Sequence, residues 1–388
     1  METSLFTVHT STLFDPTSKQ FKNNISIVVN TANGAIEDVF QRGSIVAQVK
    51  PGDIDLRRKI AMPGPGFPRR QPPGAVNRGL TPGPRLFVAT SCLAATGSYE
   101  IRTENYANGL RLPSICDTCD GVDGVRRAVR RRVAEGADII KLYADYRRNT
   151  LRAPLSGDAI LFPPMNRNPA TVMFTQDEMN AIVDEARSAG LPVACHAGTS
   201  RGITMAAKAG VTSIEHGTEA NRSAIHAMVE NGCIYVPTLA VVEAVAKERL
   251  PEAQAIAREA HAIGVRLAAG GDTGAFNHGQ GAREMELLIE AGIPVEDVLE
   301  ACMLGGWESC GRDACGYRFG WLEKGNRADI IALDTDPRID EKAFRKVSFV
   351  MKDAHVWKQN SIPVGFIDRI MDKAAHSDSV LRLEARVT

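Results

Sequence analysis

The hydrophobic rhythm of the chain changes twice. Up to residue 62, apolar and β-branched residues come in runs such as "LFTVHTSTLFD", "NNISIVVNTANGAIEDVFQ" and "SIVAQVKPGDIDL", separated by the turn formers Asp15-Pro16 and Asn33-Gly34. Runs of this composition, punctuated in this way, predict strands. From residue 85 short apolar runs recur at 85–93, 138–145, 191–197, 212–217, 234–239 and 265–274. Helical periodicity fills most of the gaps between them. In "TQDEMNAIVDEARSAG", Thr175 and Glu178 form a capping box and Gly190 is the stop. "NRSAIHAMVENG" starts on Asn221, and a longer helical stretch covers 241–264. After about residue 317 the strand pattern returns in "GWLEKGNRADIIALDTDP" and "KVSFVMKDAHVWKQ".

Strands that alternate with helices imply parallel strands joined by right-handed crossovers. Those between 85 and 274 are nearly continuous in apolar residues, as strands covered on both faces must be. Polar residues collect at their C-terminal ends, where a (β/α)8 TIM-type barrel carries its active site. Such a barrel closes with eight strands, and only six are legible here. The predicted organisation is α/β. A composite β-sandwich domain comes from 1–62 and 317–360, and an irregular junction covers 61–84. A barrel missing its first two strands covers 85–316, followed by a tail at 361–388. The 24 residues of the junction include seven prolines and five glycines, which exclude a central strand or long helix.

Composition narrows the partners. The 388 residues are 44% hydrophobic and 24% charged, as in ordinary globular proteins. Lys plus Arg and Asp plus Glu both total 46, so nothing favours nucleic acid or an anionic membrane. No apolar run approaches the roughly 20 residues that span a bilayer, and "METSLFTVHTSTLF" lacks the layout of a signal peptide. Eight cysteines in so long a chain read as free thiols, and a cytoplasmic location is expected. The expected partners are a small molecule and, at most, further copies of the chain in a homo-oligomer.

Four of the strand ends carry unusual residues: Lys141 in "IIKLYADY", His196 in "ACHAG", His216 in "IEHG" and Asp272 in "GGDTG". Singly, each reads as a solvated lysine, a hydrogen-bonded core histidine or a turn-capping aspartate. A barrel converges all four on one mouth, where imidazole and carboxylate suit Zn²⁺ or a similar divalent ion. Tyr143 shares a strand side with Lys141, so it either packs in the core or reaches substrate. Arg147 and Arg148 open a long loop, 147–174, and either grip a substrate carboxylate or are simply solvated. His278 follows the last strand on the same face. Cys116 and Cys119 form a CxxC without a second pair at zinc-ribbon spacing, and "RRAVRRR" reads as a charged helix face.

With these residues in view, the chain resembles the metal-dependent amidohydrolase superfamily, in its imidazolonepropionase-like and Xaa-Pro dipeptidase-like (prolidase/ochratoxinase-type) branch. The resemblance runs from "IDLRRKIAMPG" to "GNRADIIALDTDP", which is similar to the family's G-x-x-A-D-[LI]-[VI] segment. It implies that Lys141 is carboxylated and bridges metals, that His196 and His216 are ligands, and that Asp272 is both ligand and general base. It also implies an H-x-H pair directly after "MPG", at the end of strand one. Here "MPG" runs into "PGFPRRQPPG", and no histidine lies between His9 and His196. The missing piece covers strands one and two, matching the shortfall counted above.

The implied activity is hydrolysis of a C–N bond in a small amide, of N-acyl amino acid or Xaa-Pro type, by a metal-activated hydroxide. The family carries two divalent ions, expected to be zinc. Without the pair at most one is expected here, held by Lys141, His196 and His216. The alternative is a catalytically impaired remnant, or a gene model lacking one exon.

Overall fold

The computed structural model describes residues 4–43, 48–64, 76, 83–99, 103–104, 110–111, 116–147, 170–274 and 278–364. The chain divides into two compact units, one of Met1–Gly66, Ala75–Pro84 and Tyr317–Thr388, the other of Phe67–Gly74 and Arg85–Gly316.

In the first unit the expected β-sandwich is, by pairing, one continuous nine-stranded sheet. Its centre is the strand Ile54–Pro63, parallel to Leu5–Asp15 on one side and antiparallel to Ile330–Leu333 on the other. Ile25–Asn30 and Ala35–Gln41 extend the sheet beyond Leu5–Asp15, while Val347–Lys352, His355–Gln359 and Ile362–Pro363 extend it past Ile330–Leu333. Alternating residues bury Val8, Ile27, Leu56, Ile330 and Phe349 in a single core. At about 1.5–3 kcal/mol per fully buried aliphatic or aromatic side chain, that face holds the N- and C-terminal segments together. Asn33-Gly34 makes its turn, with Gly34 at φ +70°. The "MPG" and "RAD" segments are tied together, since Gly64 N donates to Asp329 O at 2.9 Å and Asp353 N donates to the Asp329 carboxylate at 2.8 Å.

The second unit is a mixed α/β fold around a parallel sheet of seven strands. In spatial order they are Arg266–Leu267, Ile234–Val236, Ser213–Glu219, Val193–Thr199, Ile140–Tyr143, Cys92–Ala94 and Cys116–Thr118. The last was not expected; three residues in a polar stretch give too short a run to read. It lies outside Cys92–Ala94 and pairs in parallel with it, Cys92 opposite Cys116. Among the described residues no pairing joins Arg266–Leu267 to Cys116–Thr118, so the sheet is open, and no strand lies between Pro63 and Cys92.

Several expected elements are shorter than their apolar runs. Of 85–93 only the end is strand, because Thr90 turns to φ +55° and Val88 bonds to Asp138 and Ile139 instead of entering a ladder. Of 265–274 only Arg266–Leu267 is strand. Beyond it Ala269 N donates to Ala301 O in a π-helical turn, Ala301–Gly305, and Asp272 has φ +56°. The 241–264 stretch is a helix at Leu239–Val245, a 3₁₀ turn at Lys247–Arg249 and a second helix, Leu250–Ile263, with proline in its first turn.

The capping box at Thr175 and Glu178 forms on the helix Gln176–Ser188, and the Asn221 carbonyl caps Arg222–Glu230. "RRAVRRR" is not a plain solvated face. Arg132 is 6% exposed and pairs with Asp117 and Glu135, while Arg126 and Arg130 reach Glu185 on the next helix. None of the eight cysteines is in a disulfide, and the neighbour of Cys116 is not Cys119 but Cys92, sulfur to sulfur 3.1 Å. No helix among the described residues is long and apolar enough to cross a membrane.

Candidate active site

Parallel register brings the chosen strand ends together. On Ile140–Tyr143, Ile140 and Leu142 are fully buried on one face, while Lys141 and Tyr143 share the other, half-buried face. Lys141 lies opposite Ala194 and Tyr143 opposite His196; one strand further on, Ala197 lies opposite His216. The ring centroids of Tyr143 and His196 are 4.6 Å apart, as are those of His196 and His216. Tyr99 stacks on Tyr143 at 4.5 Å and 18°, and Tyr146 closes the group edge-on against both.

His216 is held by its backbone and by its ring. It has φ +76° and is followed by Gly217 at φ +56°. A Cβ on Gly217 would stand 2.6 Å from the Tyr235 ring, whose hydroxyl donates to His216 O at 3.0 Å. Non-glycine residues at positive φ cost of order 1–3 kcal/mol and cluster at functional sites. Nδ1 is 2.8 Å from Thr238 Oγ1, and the single hydroxyl proton of Thr238 is given to Pro237 O at 2.7 Å. The hydroxyl can then only accept from the ring, so His216 is the Nδ1–H tautomer with its Nε2 lone pair free. Burial lowers the pKa of His216, the Lys141 ammonium lowers it further, and the Asp272 carboxylate raises it. Lys141 and Asp272 therefore both act on this imidazole.

Asp145 was not singled out in the sequence, although it stands only four residues beyond Lys141; it opens a separate short strand, Asp145–Arg147, antiparallel to Ala170–Val172. It is fully buried and accepts from Gly198 N, Thr199 N and Thr199 Oγ1 at 2.9, 2.8 and 2.6 Å. Burial raises its pKa against the effect of these bonds. Its Oδ1 lies 3.8 Å from His196 Nε2.

Asp272 is exposed at the end of its strand run, and His278 is exposed on the turn that follows. No ring contact joins His278 to the histidine–tyrosine group among the described residues. The side chain of Arg147, with Arg148 and the loop to 169, lies outside the described residues. A cavity of about 500 Å³ lies between Val172–Gln176 and Arg201 with Met205, and none of Lys141, His196, His216 or Asp272 lines it.

Among the described residues no three His, Cys, Asp or Glu side chains are arranged to hold a metal ion. What the chain offers is two adjacent imidazoles, one with a free Nε2, beside a lysine. That donor set suits one ion once Lys141 carries a carbamate, and it leaves a second ion without histidine.

Residues 74–361 match the sequence profile of the Amidohydrolase family. The chain is 30% identical over 316 residues to the ochratoxinase of Aspergillus niger, covering 73% of this chain and 61% of that protein. It therefore spans less than two thirds of that relative. The crystal structure of a Xaa-Pro dipeptidase with methionine bound in its active site superposes with a TM-score of 0.74 at 26% identity, over 92% of this chain and all of that one. The A. niger ochratoxinase structure gives 0.75 at 22% identity, over 93% and 97%, a likeness of fold. The span of the profile, with the likeness to ochratoxinase and to the Xaa-Pro dipeptidase, leads to one assignment: this chain is a member of the amidohydrolase family, similar to its prolidases and ochratoxinases.

Proposed function

We propose that the chain is a metal-dependent amidohydrolase that cleaves the C–N bond of a small amide, of N-acyl amino acid or Xaa-Pro type, at the mouth of a (β/α)8-type barrel whose seven-stranded parallel sheet is open among the described residues. The observation that carries this reading is the contact of His196 with His216 at the C-terminal ends of adjacent parallel strands. The ion, zinc by its nitrogen-rich donor set, would be held by His196, His216 and Lys141, the lysine as its carbamate. When bound, it supplies Lewis acidity toward water and the scissile carbonyl. Carbamylation removes the ammonium charge that disfavours protonation of His216. Asp272 takes the proton of the attacking water and passes it to the leaving nitrogen. Tyr99 and Tyr143 present a stacked aromatic wall that excludes water and receives an apolar part of the substrate.

A second reading, an impaired remnant with one ion, is favoured by the absence of any histidine between His9 and His196. Turnover separates the two. Metal-free protein is titrated calorimetrically with Zn²⁺ and then assayed on N-acetyl amino acids and Xaa-Pro dipeptides. One tight ion per chain with measurable hydrolysis supports the enzyme, and one ion with background rates supports the remnant. No zinc binding at all defeats the enzyme and leaves the remnant.

A further inference from the structure

Thr238 occupies the position before the helix Leu239–Val245, where a threonine ordinarily turns its side-chain oxygen onto the free N–H groups of the first turn. Here it makes no such bond. Its hydroxyl faces the other way, donating to Pro237 O and accepting from His216 Nδ1. The orphaned N–H groups are taken instead by Glu284, from the separate helix Ala282–Glu290. Its two carboxylate oxygens accept from Leu239 N at 3.0 Å and Ala240 N at 2.7 Å, and the side chain is 1% exposed.

We propose that Glu284 is a positioning residue for His216: by capping Leu239 N and Ala240 N it holds Thr238 in its left-handed backbone, φ +55°, which aims the hydroxyl at His216 and keeps that ring as the Nδ1–H tautomer, with Nε2 presented to a metal ion. Without the carboxylate, Leu239 N and Ala240 N lose their buried acceptor, and the cheapest repair is for Thr238 to leave the left-handed region for the extended backbone of an ordinary N-cap, turning its hydroxyl onto Ala240 N and leaving His216 unguided. Partners of this kind commonly alter metal affinity by about 10–100-fold when removed. The metal part of the inference rests on the proposed hydrolase reading; the tautomer part does not.

The test uses the full chain, labelled with ¹⁵N-histidine and metal-free. Long-range ¹H–¹⁵N spectra report which ring nitrogen of His216 carries the proton. The wild type should show Nδ1–H, Thr238→Ser should retain it, and Glu284→Gln and Thr238→Val should each lose it. Competition with a chromophoric chelator should then give a zinc Kd weakened about 10-fold or more in Glu284→Gln. A folded Glu284→Gln that keeps the Nδ1–H tautomer overturns the proposal. If that variant does not fold, retention of the tautomer in Thr238→Val overturns it equally. Loss of the tautomer in a protein that binds no zinc leaves the positioning intact and removes the hydrolase reading. Zinc bound equally by wild type and Glu284→Gln, with the tautomer unmoved, does the reverse.

Discussion

Tyr143 and His196 stand opposite one another in register on adjacent parallel strands, ring centroids 4.6 Å apart. The pairing binds the expected substrate wall to the expected ligand, so a change in one ring is felt by the other. Tyr143→Ala should lower turnover and loosen His196, with a smaller effect on zinc binding than His196→Ala. Parallel calorimetry on the two variants checks the order; equal losses would mean that the tyrosine serves the metal and not the substrate.

Metal binding should depend on two histidines and not on a third. His196→Ala or His216→Ala should abolish tight zinc binding, whereas His226→Ala, exposed on the helix Arg222–Glu230, should leave it unchanged. Grafting an H-x-H-bearing segment for strands one and two after Gly64 should add a second ion and raise turnover well above background. Two tight ions in the ungrafted chain, counted by elemental analysis, would show that unexamined residues supply the missing ligands.

Asp145 should be among the more damaging buried positions. Asp145→Ala strands Gly198 N and Thr199 N, each at about 1–3 kcal/mol, so urea unfolding should show a loss of about 2–5 kcal/mol. Gly202 makes a stricter test, since a Cβ there would lie 2.3 Å from Asp145 Oδ2. Gly202→Ala should destabilise the wild type by about 1–3 kcal/mol and cost clearly less in an Asp145→Ala background. Additive effects would contradict that contact.

Glu284 predicts a pH dependence. Burial raises its pKa from 4.5 to about 7 in the folded chain. A carboxyl with a raised folded pKa contributes its stability fully below the unfolded value and loses it as pH rises through the folded one. Between pH 4.5 and 7 the wild type should therefore lose about 3 kcal/mol relative to Glu284→Gln, at 1.36 kcal/mol per unit. Urea midpoints of both proteins across that window measure the difference, and parallel curves would refute it.

The edges of the parallel sheet should be its weak places. Cys116–Thr118 and Arg266–Leu267 each pair on one side only among the described residues, whereas Val193–Thr199 and Ser213–Glu219 pair on both. Native-state hydrogen exchange should protect the inner pair by several kcal/mol more than the outer pair. Uniform protection would mean that the arc is closed by other means.

What could be read from the sequence follows the physics of each signal. That Lys141, Tyr143, His196 and His216 fall on neighbouring strands was legible, because each lies in an apolar run and parallel register sets such runs side by side. The helix at Gln176 was legible because its capping box is local. Strand lengths were not, since Thr90 turns to positive φ, where residue type gives little warning, and Ala269 bonds to the distant Ala301 in place of a ladder partner. Asp145, Thr238 and Glu284 were missed for a shared reason. Each acts on backbone or ring atoms brought close only by tertiary packing: Glu284 lies 45 residues from Leu239, and Asp145 lies 53 from Gly198.

The clasp between Gly64 and Asp329 has an engineering meaning. Gly64 N bonds to Asp329 O, and a Cβ at Gly64 would stand 3.2 Å from Asp329 Cβ, so the chain leaves the strand Ile54–Pro63 from a seated position closely packed on Asp329. That seat is built wholly within the first unit, from strands of both chain ends. It behaves as a socket: whatever segment is spliced in after Gly64 starts from an anchored point, and only its far end has to be fitted by design.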